Sequence, residues 1–317
     1  MVEAAILQLV DDLLGQLREA CARVAASARH VRIENEAIPA YAVALPLDAH
    51  PPSPDPDVHL TDSSHEQLAA FWLTLDAINF GSGWFPTLRK REGRSGYFTI
   101  AAGIRERFVD AGPWSADELQ RIEAMEIAEV LRQDPDHELM ELFAQSLRDL
   151  GRHVTQEYDG SFAALVDSAG GSAVVLVTRL AGWAFFADTS TYDRIEVPFL
   201  KRAQIAAADL ARAGVAEFED LDRLTMFADN LVPHVLRLDG LLEFEPRLVE
   251  RIDHGDLIEH GSPEEVEIRA CALHAVELIV AHRPGSQAAD IDQLLWIRGQ
   301  ESRYKASPRH RSRCTAY

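Results

Sequence analysis

The sequence predicts a mainly α-helical fold, and three observations carry that expectation. Apolar residues recur at helical spacing through most of the long segments, capping residues stand ahead of several of them, and no strand–helix–strand alternation is visible. About ten helices with short connections, and at most a few short strands, account for the 317 residues. The expected organisation is one compact helical domain over 1–317, or two closely packed helical lobes.

Ile6, Leu7, Val10, Leu13, Leu14 and Leu17 keep helical spacing and predict a helix over 3–28. Val31 to Leu45 reads as more extended. The prolines between Asp48 and Asp57 make that stretch a loop. A helix over 64–79 follows, with Ser63 or Ser64 as its cap, and it ends at the glycines and proline of 81–86. Another helix is expected over 100–109. Ser115-Ala-Asp-Glu118 fits a capping box opening a helix through Val130, and Asp136 is placed to cap one running to Leu150. Two shorter helices flank Gly170-Gly171, although Val174 to Val177 fits a buried strand equally well. Lys201 to Ala213 is strongly helix-forming. Asp220 or Asp222 opens a stretch through Ala228, which Pro233 interrupts, so that Asp229 falls at a helix end. Ser262-Pro-Glu-Glu265 is a second capping box, with Pro263 at the favoured first position of a helix to His282. A helix over 289–300 closes the series, and a basic tail follows.

Composition narrows the function classes. Hydrophobic residues make up 47% and charged residues 26% of the chain, enough for a sizeable core without a disulfide scaffold. Cys21, Cys271 and Cys314 are odd in number and far apart, which reads as free thiols in a reducing compartment. No run reaches the ~18 apolar residues of a membrane span, and the acidic N-terminal segment lacks the basic start of a signal peptide. The expectation is a cytoplasmic protein with no membrane role and no obligate protein partner evident. A formal net charge of −20 argues against a nucleic-acid duplex as ligand, because such proteins neutralise phosphates with a broad basic surface. A single phosphate in a locally basic pocket remains compatible with it.

The common nucleotide-loop, dinucleotide-fold, metalloprotease and nucleophile-elbow motifs are missing, which leaves chemistry done by carboxylates, histidines and water. Asp229 follows Phe227, which offers a stacking surface. Asp292 stands one helical turn before Trp296, on the same face. Both acids also suit the bland role of helix cap or first-turn acid. Lys201-Arg202 at a helix start is placed to hold a phosphate, or to be a solvated basic pair. Trp72, Phe80, Trp84 and Phe85 fit a base pocket or the core. His50, His59 and His65 cluster, but their spacing matches no standard metal site.

Six segments in order resemble the queuosine salvage family, the queuosine 5′-phosphate N-glycosylase/hydrolases. They are Asp76-Ala-Ile-Asn79-Phe80, Gly96-Tyr97-Phe98-Thr-Ile, Phe199-Leu-Lys201-Arg202-Ala-Gln204-Ile, Leu224-Thr-Met-Phe227-Ala-Asp229, Glu265-Val-Glu267-Ile-Arg269 and Asp292-Gln-Leu-Leu-Trp296, with the tail Arg311-Ser-Arg313-Cys314-Thr-Ala-Tyr317. The resemblance implies a mostly helical fold related in architecture to helix-hairpin-helix DNA glycosylases. It implies hydrolysis of queuosine 5′-phosphate to queuine and ribose 5-phosphate, without metal or organic cofactor. It carries pocket roles to His50, Phe227, Asp229 and Asp292. One aspartate would face the anomeric carbon and the other grip the base, Phe227 and Trp296 would wall it, and Lys201 with Arg202 would hold the phosphate. Two positions depart from the family: Asn230, where an aromatic is frequent, and Ile297, where some members carry an acid. The rival expectations are a helical nucleic-acid repair glycosylase and a non-enzymatic helical scaffold.

Overall fold

The computed structural model describes residues 13–46 and 54–317. It is 57% helical, with 5% strand in two small sheets. The helix expected from residue 3 is described from its second half, α1 (Leu13–Ser27), with Leu14, Leu17, Cys21 and Val24 turned inward. Val31 to Leu45 is not extended throughout. Only β1 (Val31–Ile33) is a strand; a 3-10 turn and α2 (Ile38–Ala44) follow, because Pro39 sits in the first turn, where its missing N–H costs nothing.

α3 (His65–Ala77) opens on a complete capping box between Ser64 and Gln67. α4 (Gly96–Ala111) is capped by Ser95. The Ser115–Glu118 box also forms, but α5 (Ala116–Leu119) stops within one turn, and the chain enters α6 (Ala124–Leu131) afresh at Glu123. α7 (Glu138–Tyr158) is capped by His137 instead of Asp136 and runs two turns beyond Leu150. Gly151 permits this: a Cβ there would lie 2.5 Å from the Ala116 carbonyl oxygen, so a bare backbone lets α5 and α7 touch.

After α8 (Phe162–Asp167), the apolar run Val174 to Val177 lies in α9 (Ala173–Ala181), whose N-cap is Ser172. An antiparallel hairpin that the sequence reading missed joins β2 (Thr189–Tyr192) to β3 (Ile195–Pro198), with Tyr192 opposite Ile195 and Asp193 at φ +49° in the turn. α10 (Lys201–Arg212) leads to a 3-10 turn at Leu221–Arg223. The expected helix through Ala228 is absent; Leu224 to Asn230 is an irregular segment, and Pro233 begins α11 (Val232–Leu238) instead of interrupting a helix. β4 (Leu242–Phe244) pairs antiparallel with β1, and α12 (Pro246–His254) again starts on proline. α13 (Pro263–Ala281), capped by Ser262, packs against α1, α2, α11 and α14 (Ala288–Arg298). The short α15 (Ser302–Lys305) precedes the tail.

α13 is buried almost all round, including Glu265, Glu267 and Arg269, each 0% exposed. Each charge is matched. Glu267 accepts from the backbone N–H groups of Arg29, His30 and Val31 and from Tyr192 Oη, which fixes the lead into β1. Glu265 accepts from Gly261 N, and Arg269 reaches the candidate site. The tail is not a free basic appendage. His310, Ser312, Cys314, Ala316 and Tyr317 are buried, and Gly83 lies so close that a Cβ would meet the Ser312 carbonyl at 2.4 Å.

Candidate active site

Lys201, Ile205, Asp209 and Arg212 lie on one face of α10 and line a cavity of about 570 Å³. At 1.5 Å per residue that face extends about 16 Å. α14 contributes Asp292 and Trp296, one turn apart; α4 contributes Tyr97 and Phe98, whose rings meet Trp296 edge-on at 5.6 and 5.7 Å. The irregular segment after the 3-10 turn contributes Phe227 and Asp229, and the tail contributes Arg309 and Arg311.

An irregular segment positions side chains only if something else holds its backbone. Buried side chains do so here. Gln204 of α10 accepts from Thr225 N at 2.9 Å and donates to the Phe199 carbonyl at 3.0 Å. Arg269 of α13 donates through Nε to the Ala228 carbonyl at 2.9 Å, while its fork takes both oxygens of Asp188 at 3.0 and 2.6 Å. Its guanidinium stacks on Phe199 at 3.9 Å and on Tyr317 at 4.6 Å. Burial opposes that charge, but Asp188 and Glu265 outweigh it and raise the arginine's pKa above its usual value. Asp188 also accepts from Lys201 N at 3.1 Å, so one ion pair ties the start of α10 to the Phe227–Asp229 segment.

Two carboxyl groups separated in sequence meet at this segment. Asp292, 4% exposed, accepts from Phe227 N at 3.0 Å through Oδ1. Burial first, and the charge of Asp229 second, raise its pKa well above the ordinary carboxylate range. Asp229 accepts from Leu231 N at 2.7 Å and Val232 N at 3.1 Å, both through Oδ1. The cap role and the cavity role therefore coexist in Asp229: the bonds that start α11 also fix its carboxylate in the cavity wall.

Lys201 is 5% exposed and donates through Nζ to the backbone carbonyl and side-chain oxygen of Asn79 at 2.9 and 3.2 Å. Burial lowers its pKa, against the opposing charges of Asp229, Asp76 and Asp292. Arg202, its neighbour, does not line the cavity. Its guanidinium is 1% exposed, donates to the Ala77 carbonyl and lies over Phe80 and Phe186 at 4.8 and 5.2 Å. The two side chains leave the helix about 100° apart, and of the two only Lys201 faces the cavity. His50 lies outside the described residues.

Several lining groups escaped the sequence reading. His59 Nδ1 accepts from Asp55 N at 3.1 Å, which leaves the proton of the neutral ring on Nε2, 3.0 Å from Tyr97 Oη. Burial pushes His59 down to about 4, so the ring is neutral near pH 7 and the Tyr97 hydroxyl keeps its own proton to donate. Asp209 and Arg212 form an i, i+3 pair at 2.7 Å on the cavity face of α10. His65, grouped with His59 by sequence, bonds instead to the Val215 carbonyl at 2.8 Å. The one legible signal for α10 was its four-residue spacing of Lys201, Ile205 and Asp209; nothing in the local sequence marked His59 or the tail as cavity walls.

Fold and site together define a class: a helical protein with a cavity lined by carboxylates and aromatic rings and large enough for a single small molecule. Comparison with known proteins sharpens this. The family model described as queuosine salvage protein matches residues 58–317. A Sphaerobacter thermophilus protein named queuosine 5′-phosphate N-glycosylase/hydrolase is 33% identical over 309 residues, covering 93% of this chain and 95% of its own. Proteins of the same name from Dictyostelium discoideum and Schizosaccharomyces pombe are 30% and 32% identical, over 93% and 73% of this chain and 97% and 71% of theirs. The chain belongs to the queuosine salvage protein family.

Proposed function

We propose that this protein hydrolyses the N-glycosidic bond of queuosine 5′-phosphate, releasing queuine for salvage into tRNA modification and ribose 5-phosphate. The observation that carries the reading is the convergence of Asp229 and Asp292, 63 positions apart, with Phe227 and Trp296 in one cavity. The names of the relatives point the same way.

Water supplies the incoming oxygen at the anomeric carbon. The C1′–N bond breaks, its electron pair leaves with the base, and one proton of the water ends on the base. Cleavage develops positive charge on the sugar, which a fixed carboxylate stabilises. A 7-deazaguanine has no N7 to protonate, so that electrostatic term and firm base positioning carry more of the barrier. Asp229 suits the sugar: its carboxylate is anchored by two backbone N–H groups and lies on the lysine and tail side of the cavity. Asp292 suits the base edge, because Trp296 and Phe227 stand beside it and the two donors of a guanine-like edge match a carboxyl's acceptors. Those donors would draw its raised pKa back down when substrate binds. Lys201 has one N–H left for a substrate oxygen, and Tyr97 offers a hydroxyl donor.

No metal or organic cofactor enters this scheme, and the substrate is a mononucleotide. No helix among the described residues is long and apolar enough to cross a membrane, and the three cysteines are free and buried; the reading puts the enzyme in the reducing cytoplasm. Incubation with queuosine 5′-phosphate, followed by mass spectrometry, tests it: free queuine is expected, and its absence at high enzyme concentration sinks the proposal.

A further inference from the structure

The cavity has a charge polarity that the catalytic scheme leaves unused. Asp229, Asp292 and Asp209 lie with Lys201 and Arg212 along the α10 side, so each cation there already has carboxylate neighbours. The tail is different. From 309 to 312 it alternates: Arg309 and Arg311 are part-exposed and line the cavity, while His310 and Ser312 are buried in the protein. That two-residue period is the signature of extended chain, and it puts both guanidinium groups on the same side. The strand-like segment is pinned by backbone bonds, Asn230 Nδ2 donating to the His310 carbonyl at 3.1 Å and Ile258 N to the Arg311 carbonyl at 2.9 Å. Asn230 adjoins Asp229, so the tail is fixed directly to the segment that carries the sugar-facing acid.

The Arg309 Nε is buried without a hydrogen-bond partner among the described residues. Burial lowers the pKa of both arginines; among the described residues Asp229 offsets this for Arg309, and no carboxylate does so for Arg311. Two neighbouring, partly desolvated forks short of anions are costly unless a ligand completes them. Lys90 and Arg94 add further positive charge to the lining. A dianionic phosphate, taken bidentately by guanidinium forks, is the group that chemistry fits. Lys201 fits it less well, with three carboxylates and Asn79 around its ammonium.

We propose that Arg309 and Arg311 hold the 5′-phosphate of the substrate and so set the preference for nucleotide over nucleoside. This rests on the hydrolase reading above: with the base at Asp292 and the anomeric carbon at Asp229, the phosphate extends toward the tail.

The test measures kcat/KM for queuine release from queuosine 5′-phosphate and from queuosine, in wild type, Arg309→Gln, Arg311→Gln and Lys201→Met. Each arginine change is expected to lower the nucleotide-to-nucleoside ratio by about 10- to 100-fold, the range for losing a charge-assisted hydrogen bond, whereas Lys201→Met slows both compounds alike. Titration with ribose 5-phosphate should show the same loss of binding in the two arginine variants. If Arg309→Gln does not fold, Arg309→Lys, which keeps the charge but loses the fork, is expected to give an intermediate ratio, and a wild-type ratio counts against the assignment. Ratios within twofold of wild type in both arginine variants overturn the phosphate site while leaving the hydrolase intact. A wild-type protein that releases queuine from neither compound overturns the activity and this assignment together.

Discussion

Replacing Arg269 by methionine isolates what the buried ion pair does for the site. Methionine fills similar space but leaves Asp188 and Glu265, with side chains 2% and 0% exposed, short of their cation, and frees the Ala228 carbonyl. Removing one partner of a buried pair costs about 3–5 kcal/mol. Unfolding entropy of about 2.1 cal/mol/K per residue, taken over the whole chain, gives roughly 0.7 kcal/mol/K, so the melting temperature should fall by about 4–8 °C. Activity should fall further than stability alone explains, because the Phe227–Asp229 backbone loses its α13 anchor while the folded fraction at 25 °C stays near unity. Adding Asp188→Asn, which removes the stranded charge, should recover part of the melting temperature without recovering turnover. The assays are differential scanning fluorimetry and queuine release on the same samples. A melt within 1 °C of wild type, or turnover that follows the stability through both variants, refutes the argument that Arg269 positions the segment.

Four other outcomes follow from the geometry. Asp229→Asn retains an oxygen for Leu231 N and Val232 N, so the melt should hardly move while turnover drops about 10²–10³-fold; near-normal turnover removes Asp229 from the sugar. Asp292→Asn keeps the bond from Phe227 N, and its effect on stability should depend on pH. Because the folded-state pKa is raised, the wild-type carboxyl contributes stability fully below its unfolded value near ~4 and loses it as pH rises through the folded value. Relative to wild type, the variant should therefore gain melting temperature from acid toward neutral pH, and a difference independent of pH refutes the burial of that charge. His59, His234 and His310 are pushed down by burial to about 4, 4 and 3, so the unfolded chain binds protons first as pH falls below ~6.5; calorimetry should show stability declining between pH 6.5 and 4, and a flat profile counts against three neutral buried rings. Gly83→Ala sets a methyl group against the Ser312 carbonyl, and should cut queuine release while far-ultraviolet circular dichroism stays unchanged; full activity means the tail yields freely.

The helical class was legible because periodicity and caps agree locally: Ser64, Ser115 and Ser262 all cap helices, while the Ser95 cap and the first turn it opens went unread. Proline misled the reading at Pro233, which was treated only as a breaker, and the helix starts at Pro39 and Pro246 were not marked at all. Pro39, Pro233 and Pro246 each open a helix, and which role a proline takes depends on whether downstream residues find an apolar surface to pack on, a tertiary fact. The β2–β3 hairpin was missed because Thr189 to Pro198 is short and carries only Tyr192, Ile195 and Val197 as hydrophobic residues, and its alternation of exposed and buried residues becomes plain only beside α1. Within the site, Phe227, Asp229, Asp292, Trp296 and Lys201 share the cavity. The residues alone favoured capping roles for the acids; only the resemblance to a family singled them out. Gln204 and Arg269 lay inside the quoted motifs, but that they clamp the Phe227 segment could not be read from a chain in which 41 positions separate Arg269 from Ala228.

The lodged tail also bears on how this protein comes into being. Its aspartates and the Gln204 and Arg269 clamps all precede Arg309 in the chain, yet the part of the cavity wall that Arg309, Arg311 and Tyr317 supply is synthesised only after them. A chain released early by a nonsense codon near position 305 would keep most of its helices but leave Gly81 and Gly83 facing solvent where the closing segment should nest. Competence to bind ligand thus depends on a segment synthesised after the helices that hold the acids, and copies terminated ahead of it should accumulate as inert, protease-sensitive material.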